Sequence, residues 1–197
     1  MRTASFALLI FSAALVTAQD ARIVEVGKSP VEAKFPSGGQ LRMELCSSGI
    51  DVVGRDENVL RVSYHADRDD TQHDVRVRIE VSGDRAYFRV SGCPRNNFRV
   101  TIEVPKYSGL YVRMFAGELN VRDVTGDKNV ELDFGQLNLD LGNTDDYAHV
   151  GASVNSGEVN AVAFNVSKGG LFRSFSRNGP GKYRVHAHVG AGEVDLR

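Results

Sequence analysis

Two histidines, His186 and His188, stand two positions apart in a segment that otherwise alternates with Val185, Ala187 and Val189. On a strand, successive side chains point to opposite faces, so both imidazoles project from the face opposite the valines. A same-face pair could supply part of a transition-metal site. No third ligand stands near it in the sequence, so a solvated strand face is the favoured reading and no metal is expected. His65, His73 and His149 are isolated. The acidic pairs Asp69-Asp70 and Asp145-Asp146 are adjacent in sequence, which sends their carboxylates to opposite faces and denies each pair the geometry of a glycosidase dyad. Glu118, Glu158 and Glu193 recur at equivalent places and could form an outer row of oxygens for Ca²⁺. Gln136 interrupts that row, and no Gly-Gly-x-Gly-x-Asp nonapeptide is present. There is no Gly-x-Ser-x-Gly elbow and no pairing of a free cysteine with histidine. The chain is expected to be non-catalytic and to use no cofactor.

Charge is distributed more informatively. Between 118 and 158 nine acidic residues face only Arg122 and Lys128, whereas 159–192 holds five basic residues (Lys168, Arg173, Arg177, Lys182, Arg184) and no acidic one. Phe172, Phe175 and Tyr183 are interleaved with these cations, giving a candidate binding strip of Lys168, Phe172, Arg173, Phe175, Arg177, Lys182, Tyr183 and Arg184. Three readings compete. The strip binds an anionic glycan or lipid headgroup, with arginines on phosphate or carboxylate and aromatics on sugar rings. It serves self-association, acidic segments of one copy meeting basic segments of the next. Or the phenylalanines are core and the charges a solvated outer face. Nucleic acid is a poor fit, because the net charge is −1 and no binding motif is present.

These residues lie on a chain whose hydrophobicity alternates almost throughout. Val75, Val77, Ile79 and Val81 form one face, as do Phe98, Val100, Ile102 and Val104, then Val130, Leu132 and Phe134, and Leu137, Leu139 and Leu141. No helical period competes beyond residue 19, so the chain is expected to be all-β. Residues 20–107 hold 7 glycines and read as longer strands; residues 108–197 hold 13 and read as short strands. In this second part a unit recurs: Ala116-Gly117-Glu118-Leu119-Asn120-Val121, Phe134-Gly135-Gln136-Leu137-Asn138-Leu139, Ser156-Gly157-Glu158-Val159-Asn160-Ala161 and Ala191-Gly192-Glu193-Val194-Asp195-Leu196. The glycines are spaced by 18, 22 and 35 residues, the last interval long enough to hide a degenerate unit around Gly169-Gly170. Such self-similarity predicts stacked coils of a single-stranded β-solenoid, with Leu119, Leu137, Val159 and Val194 in one interior column and the Glu/Gln and Asn/Asp positions outside. An antiparallel β-sandwich built of short hairpins is the alternative.

Residues 1–18 look like a secretory signal peptide. Arg2 precedes an apolar run from Phe6 to Val16, and Val16-Thr17-Ala18 offers small residues at a cleavage site. The run is too short to span a bilayer, so a mature domain of residues 19–197 is expected in the periplasm, outside the cell or on its surface. Cys46 and Cys93 fit that compartment: an even count in an exported chain favours a disulfide over two buried thiols.

The leader, Gly-Ile-Asp-Val-Val-Gly (49–54), Val-Thr-Ile-Glu-Val-Pro (100–105) and the repeated Gly-Glu-Leu/Val-Asn/Asp units together resemble the bacterial "putative adhesin" domain. The resemblance covers roughly residues 40–197 and implies a β-solenoid-like envelope protein with a role in surface attachment. Where that family more often carries Ser-Gly-Ser/Thr-Gly-Asp-Ile, this chain has Ala-Gly-Glu and Phe-Gly-Gln, and no functional residue is carried over. The sequence therefore points to a non-catalytic, adhesin-like interaction protein that binds a surface polymer or a protein partner through an extended β face. The alternatives are a polysaccharide-acting enzyme on a β-helix scaffold and a structural or stress-related envelope component without a ligand.

Overall fold

In a computed structural model, residues 29–65, 75–94 and 98–197 are described. Residues 1–18, expected to be a signal peptide, and Asp69, Asp70 and His73 lie outside them. Twelve strands form one mixed sheet, and no α-helix occurs among the described residues. They are β1 (Val31–Lys34), β2 (Gln40–Leu45), β3 (Ser48–Arg55), β4 (Val59–His65), β5 (Arg76–Ser82), β6 (Arg85–Ser91), β7 (Arg99–Pro105), β8 (Gly109–Arg122), β9 (Lys128–Leu139), β10 (Tyr147–Ala161), β11 (Val166–Asn178) and β12 (Tyr183–Leu196). The main path runs β1-β4-β7-β3-β8-β9-β12-β10-β11. β2 pairs with β6 and with the first half of β8, while β3 takes the second half, so β2 and β3 follow one bent course beside β8.

Four long strands, β8, β9, β12 and β10, run parallel and in register. Each bends at the same level, where Gly117, Gly135, Gly192 and Gly157 stack with φ of 129°, 126°, 143° and 134°. A Cβ on Gly135 would lie 1.9 Å from the carbonyl oxygen of Gly117, and one on Gly192 would lie 1.8 Å from that of Gly135. Both the positive φ and the close approach of the neighbouring backbone therefore demand glycine. The bend also absorbs one residue of the alternation. Along β8 the inward residues are Leu110, Val112 and Met114 before it, then Leu119 and Val121 after it.

The interior is built of columns across these strands. Leu119, Leu137, Val194 and Val159 are fully buried and in register, as the repeat predicted. Their order in space departs from their order in the chain, because β12 enters between β9 and β10. Val121, Leu139, Leu196 and Ala161 form a second such column.

Two expectations need correcting. The longer strands are in the C-terminal part, 12 to 15 residues each, while β1 to β7 have 4 to 8. The glycines of the repeat lie at bends within continuous strands. Phe134, placed with Val130 and Leu132 on a buried face, is 51% exposed because it sits in the bend where the alternation shifts. The sheet itself is mixed: β11 runs antiparallel to β10, and β4 antiparallel to β7 and β1.

The expected disulfide is present. Cys46 and Cys93 are joined, with Cα atoms 5.9 Å apart, tying the link between β2 and β3 to the segment after β6.

Candidate binding edge

β11 leaves β10 through a 3₁₀ turn, Val162–Phe164, that ends at Asn165 in the left-handed region. It pairs with β10 on one side and has no strand on the other among the described residues. Its register fixes which side each residue faces, since paired residues share a sheet face. Arg177, Phe175, Arg173 and Lys168 stand opposite Val150, Ala152, Val154 and Val159, all buried. They therefore cover the last interior layer of the core. Gly170 stands opposite Gly157 with φ 121°, so the degenerate unit expected near it continues the row of bends.

Each member of this inner row is held differently. Phe175 is only 8% exposed and stacks on Phe164 with centroids 5.0 Å apart. The Arg177 guanidinium lies 5.2 Å over the Phe164 ring. Lys168 Nζ donates to the Ser174 carbonyl at 2.9 Å, and Arg173 Nε donates to the Gly169 carbonyl at 2.8 Å. Both bonds cross the bend and brace its two arms. At the bend, Leu171 and Phe172 are 64% and 79% exposed, and Phe172 has φ 51°.

The remaining members of the basic strip lie elsewhere. Lys182 sits in the loop before β12, its Nζ 4.6 Å over the ring of Tyr183, and Tyr183 packs against Tyr147 at 6.3 Å. Arg184 pairs in register with His149 on the outward face, and its backbone N–H donates to Asp127 at 2.7 Å. The structure thus gathers Lys168, Arg173, Phe175 and Arg177 on one face of one edge strand, places Leu171 and Phe172 at its bend, and separates Lys182, Tyr183 and Arg184 from them.

The electrostatic setting of these cations differs from that of the other arginines. Arg55 and Arg61 share Glu103, at 2.9 and 2.8 Å. Hydrogen bonds that it donates to Glu32 and then to Glu103 hold the Arg61 guanidinium above its ordinary value. Arg99 pairs with Asp51 at 3.1 Å and Arg113 with Glu131 at 3.0 Å. Among the described residues, none of Lys168, Arg173, Arg177, Lys182 and Arg184 lies within ion-pair distance of a carboxylate.

Other chemistry-bearing residues are arranged as structure. The Asn/Asp positions of the repeat form a ladder on the outward face. Asn138 donates to Asn120 at 2.8 Å, and Asn120 in turn donates to Asp51 at 3.1 Å. Further along, Gln136 donates to Asp195 at 3.3 Å and Asn160 to Glu193 at 2.7 Å. Burial, reinforced by Asp195 and Glu158, raises the Glu193 carboxyl. No group of three or more metal-ligating side chains occurs among the described residues.

Sequence reasoning missed two arrangements. His188 Nδ1 lies 2.9 Å from Ser153 Oγ on the adjacent strand, with Glu131 in register on the other side. Glu131 is engaged by Arg113 at 3.0 Å. Across the bend, Phe115 and Phe134 meet edge-on at 5.4 Å, 63% and 51% exposed. Phe115 borders an open groove of about 1040 Å³ lined also by Ser47, Tyr64, Phe98, Arg99 and Glu118. Neighbouring positions in the repeat carried the signal for the aromatic pair, once its glycines are read as bends.

No family model matches the chain, and no curated protein matches it. Among solved structures, it is similar to a crystal structure of a "putative cell adhesion protein" from Clostridium sporogenes. The two share 13% identity with a TM-score of 0.53 over 89% of this chain and 99% of that one, which is a likeness of fold.

Proposed function

We propose that this chain is an exported, adhesin-like interaction protein of the cell envelope that binds a partner through its extended β surface without catalysing a reaction. The observation that carries this reading is the edge of β11, which among the described residues has no further strand on it and whose cations have no carboxylate partners, beside exposed Leu171 and Phe172. Stacked strands make long, shallow surfaces rather than deep pockets, and such surfaces suit partners of extended shape. The bent parallel strands, each presenting the same glycine corner, favour a solenoid-like reading of the sheet. The disulfide fits an oxidising compartment outside the cytoplasm. The likeness to a protein described as a cell adhesion protein, and the resemblance to the adhesin-type domain, agree with both points.

Co-sedimentation of the purified protein with cell-envelope fragments tests the proposal. Wild type should pellet with the fragments, less so as ionic strength rises, because exposed charges are screened over about 10 Å at 0.1 M salt. Absence of co-sedimentation at low salt would overturn the reading. So would release of reducing or unsaturated sugar ends from the fragments, which would favour a polysaccharide-acting enzyme.

A further inference from the structure

We propose that the free edge of β11 receives an acidic, extended segment of a partner protein as an added strand. The inference rests on the interaction reading above and names the partner's chemistry. An edge strand presents a row of backbone donors and acceptors, and a thirteen-residue edge is long to have no strand on it among the described residues. Natural edges are often shielded by a bulge, a proline or a short length. β11 lacks proline and glutamate or aspartate throughout Val166–Asn178, and offers both arms of its bend.

Its side chains specify what is added. Lys168, Arg173 and Arg177 share the inner face, so an incoming strand with Asp or Glu on its corresponding face brings each carboxylate next to a cation. The bonds from Lys168 to the Ser174 carbonyl and from Arg173 to the Gly169 carbonyl are made by long side chains that can be exchanged. Carboxylates would draw the two cations away as the added strand's backbone pairs with the edge. On the outward face β11 presents Ser167, Gly169, Ser174 and Ser176, which leave room for any side chain. A second copy of β11 is the poorer occupant. It would bring three more cations against these three, and lysine or arginine on an edge deters self-pairing.

The test uses the full protein and a fluorescein-labelled twelve-residue peptide in which glutamate alternates with threonine and valine on each side of a central glycine, the alternation shifting by one residue there as it does in β11. Anisotropy should show saturable binding. A peptide of the same sequence and charge, N-methylated along one backbone edge, should bind about tenfold more weakly or worse, since it cannot complete the ladder. A lysine-for-glutamate peptide should not bind. The protein carrying Lys168→Glu, Arg173→Glu and Arg177→Glu should lose the acidic peptide. Because that variant could be misfolded, hydrogen exchange on wild type supplies a second measurement: the peptide should protect amides of Val166–Asn178 above all others. Equal binding of the N-methylated peptide, or protection centred elsewhere, overturns strand addition. Protection of β11 without peptide, together with a dimeric mass in solution, overturns it in favour of a second copy. If envelope fragments are retained but the peptide is not, strand addition falls and the interaction reading stands; the reverse result separates the two in the other direction.

Discussion

Lys128 offers the sharpest test of the core. It opens β9, in register with Leu110 on one side and Val185 on the other, so it occupies an interior column otherwise made of aliphatic residues. Its side chain is 1% exposed. The ammonium donates to the Tyr147 hydroxyl at 2.6 Å and lies 4.8 Å from the centre of that ring. Burial lowers its pKa from 10.5 to about 8, against the pull of Asp140, Asp127 and Asp146. At about 1.4 kcal/mol per pH unit, that fall corresponds to about 3 kcal/mol by which the charged form is less at home in the folded protein than in the unfolded chain.

The sign follows from proton counts. Between pH 8 and 10.5 the unfolded chain holds more of this proton than the folded protein does, so stability rises with pH through that window. From pH 7 to 9.5 the linkage amounts to a gain of about 2 kcal/mol for wild type. Lys128→Met removes the titrating group and leaves a side chain of similar length. At pH 7 the variant should be more stable by about 2 kcal/mol, after about 1 kcal/mol is lost with the bond to Tyr147. By pH 9.5 the two proteins should be nearly equal. Urea unfolding followed by far-UV circular dichroism, from pH 7 to 9.5, measures the difference. The upper limit avoids Tyr147, whose phenol is also raised by burial and whose titration would act with the opposite sign. Parallel stability curves for variant and wild type would refute a depressed lysine at this position.

The stacked bends and the disulfide give two further expectations. Gly135→Ala should cost more than about 3 kcal/mol, because its Cβ would meet a backbone carbonyl that cannot yield. Gly142→Ala should cost only about 1 kcal/mol, since its φ is 61° but no atom lies within 4 Å of the added methyl. Urea midpoints for the two variants distinguish steric contact from backbone preference. Replacing Cys46 and Cys93 together by serine should lower stability by about 4 kcal/mol, the loop-closure value for a separation of 47, and should abolish any effect of reductant on the midpoint.

The columns of the core were legible because their units repeat. Leu119, Leu137, Val159 and Val194 follow Gly at a fixed offset, and that offset places them at one level whichever strand lies beside which. What the repeat does not encode is neighbourhood. Identical units fit beside one another in any order, so the entry of β12 between β9 and β10 left no mark in the pattern. The bend was legible only in part. Glycine with a positive φ suits a chain reversal as well as a corner inside a strand, and the two readings differ in where Phe134 and Phe115 point. Lys128 was visible to the alternation, which sets it on the face of Val130 and Leu132, yet a lysine in a polar stretch with Asp127 and Asn129 draws no notice. The basic strip was recognised as a charged stretch and not as an edge, since the strand's antiparallel course depends on the hairpin with β10.

Chain order also explains why the cations stand where they do. Once β12 occupies the place beside β10, the hairpin partner β11 has only the outer side of β10 left, and it becomes the last layer of the stack. Its inner face must then close an apolar column on one side and meet water on the other. Lysine and arginine suit both demands, because long aliphatic stems can lie over the layer of Val159, Val154 and Val150, opposite which they stand, while the charged heads reach the surface. Closing the core thus uses the stems, whereas the acidic-strand binding proposed above would use the heads and the backbone edge. The two roles do not compete, and an arginine-to-methionine change at 173 or 177 separates them: the stem that shields the column is kept and the group that would hold a carboxylate is lost.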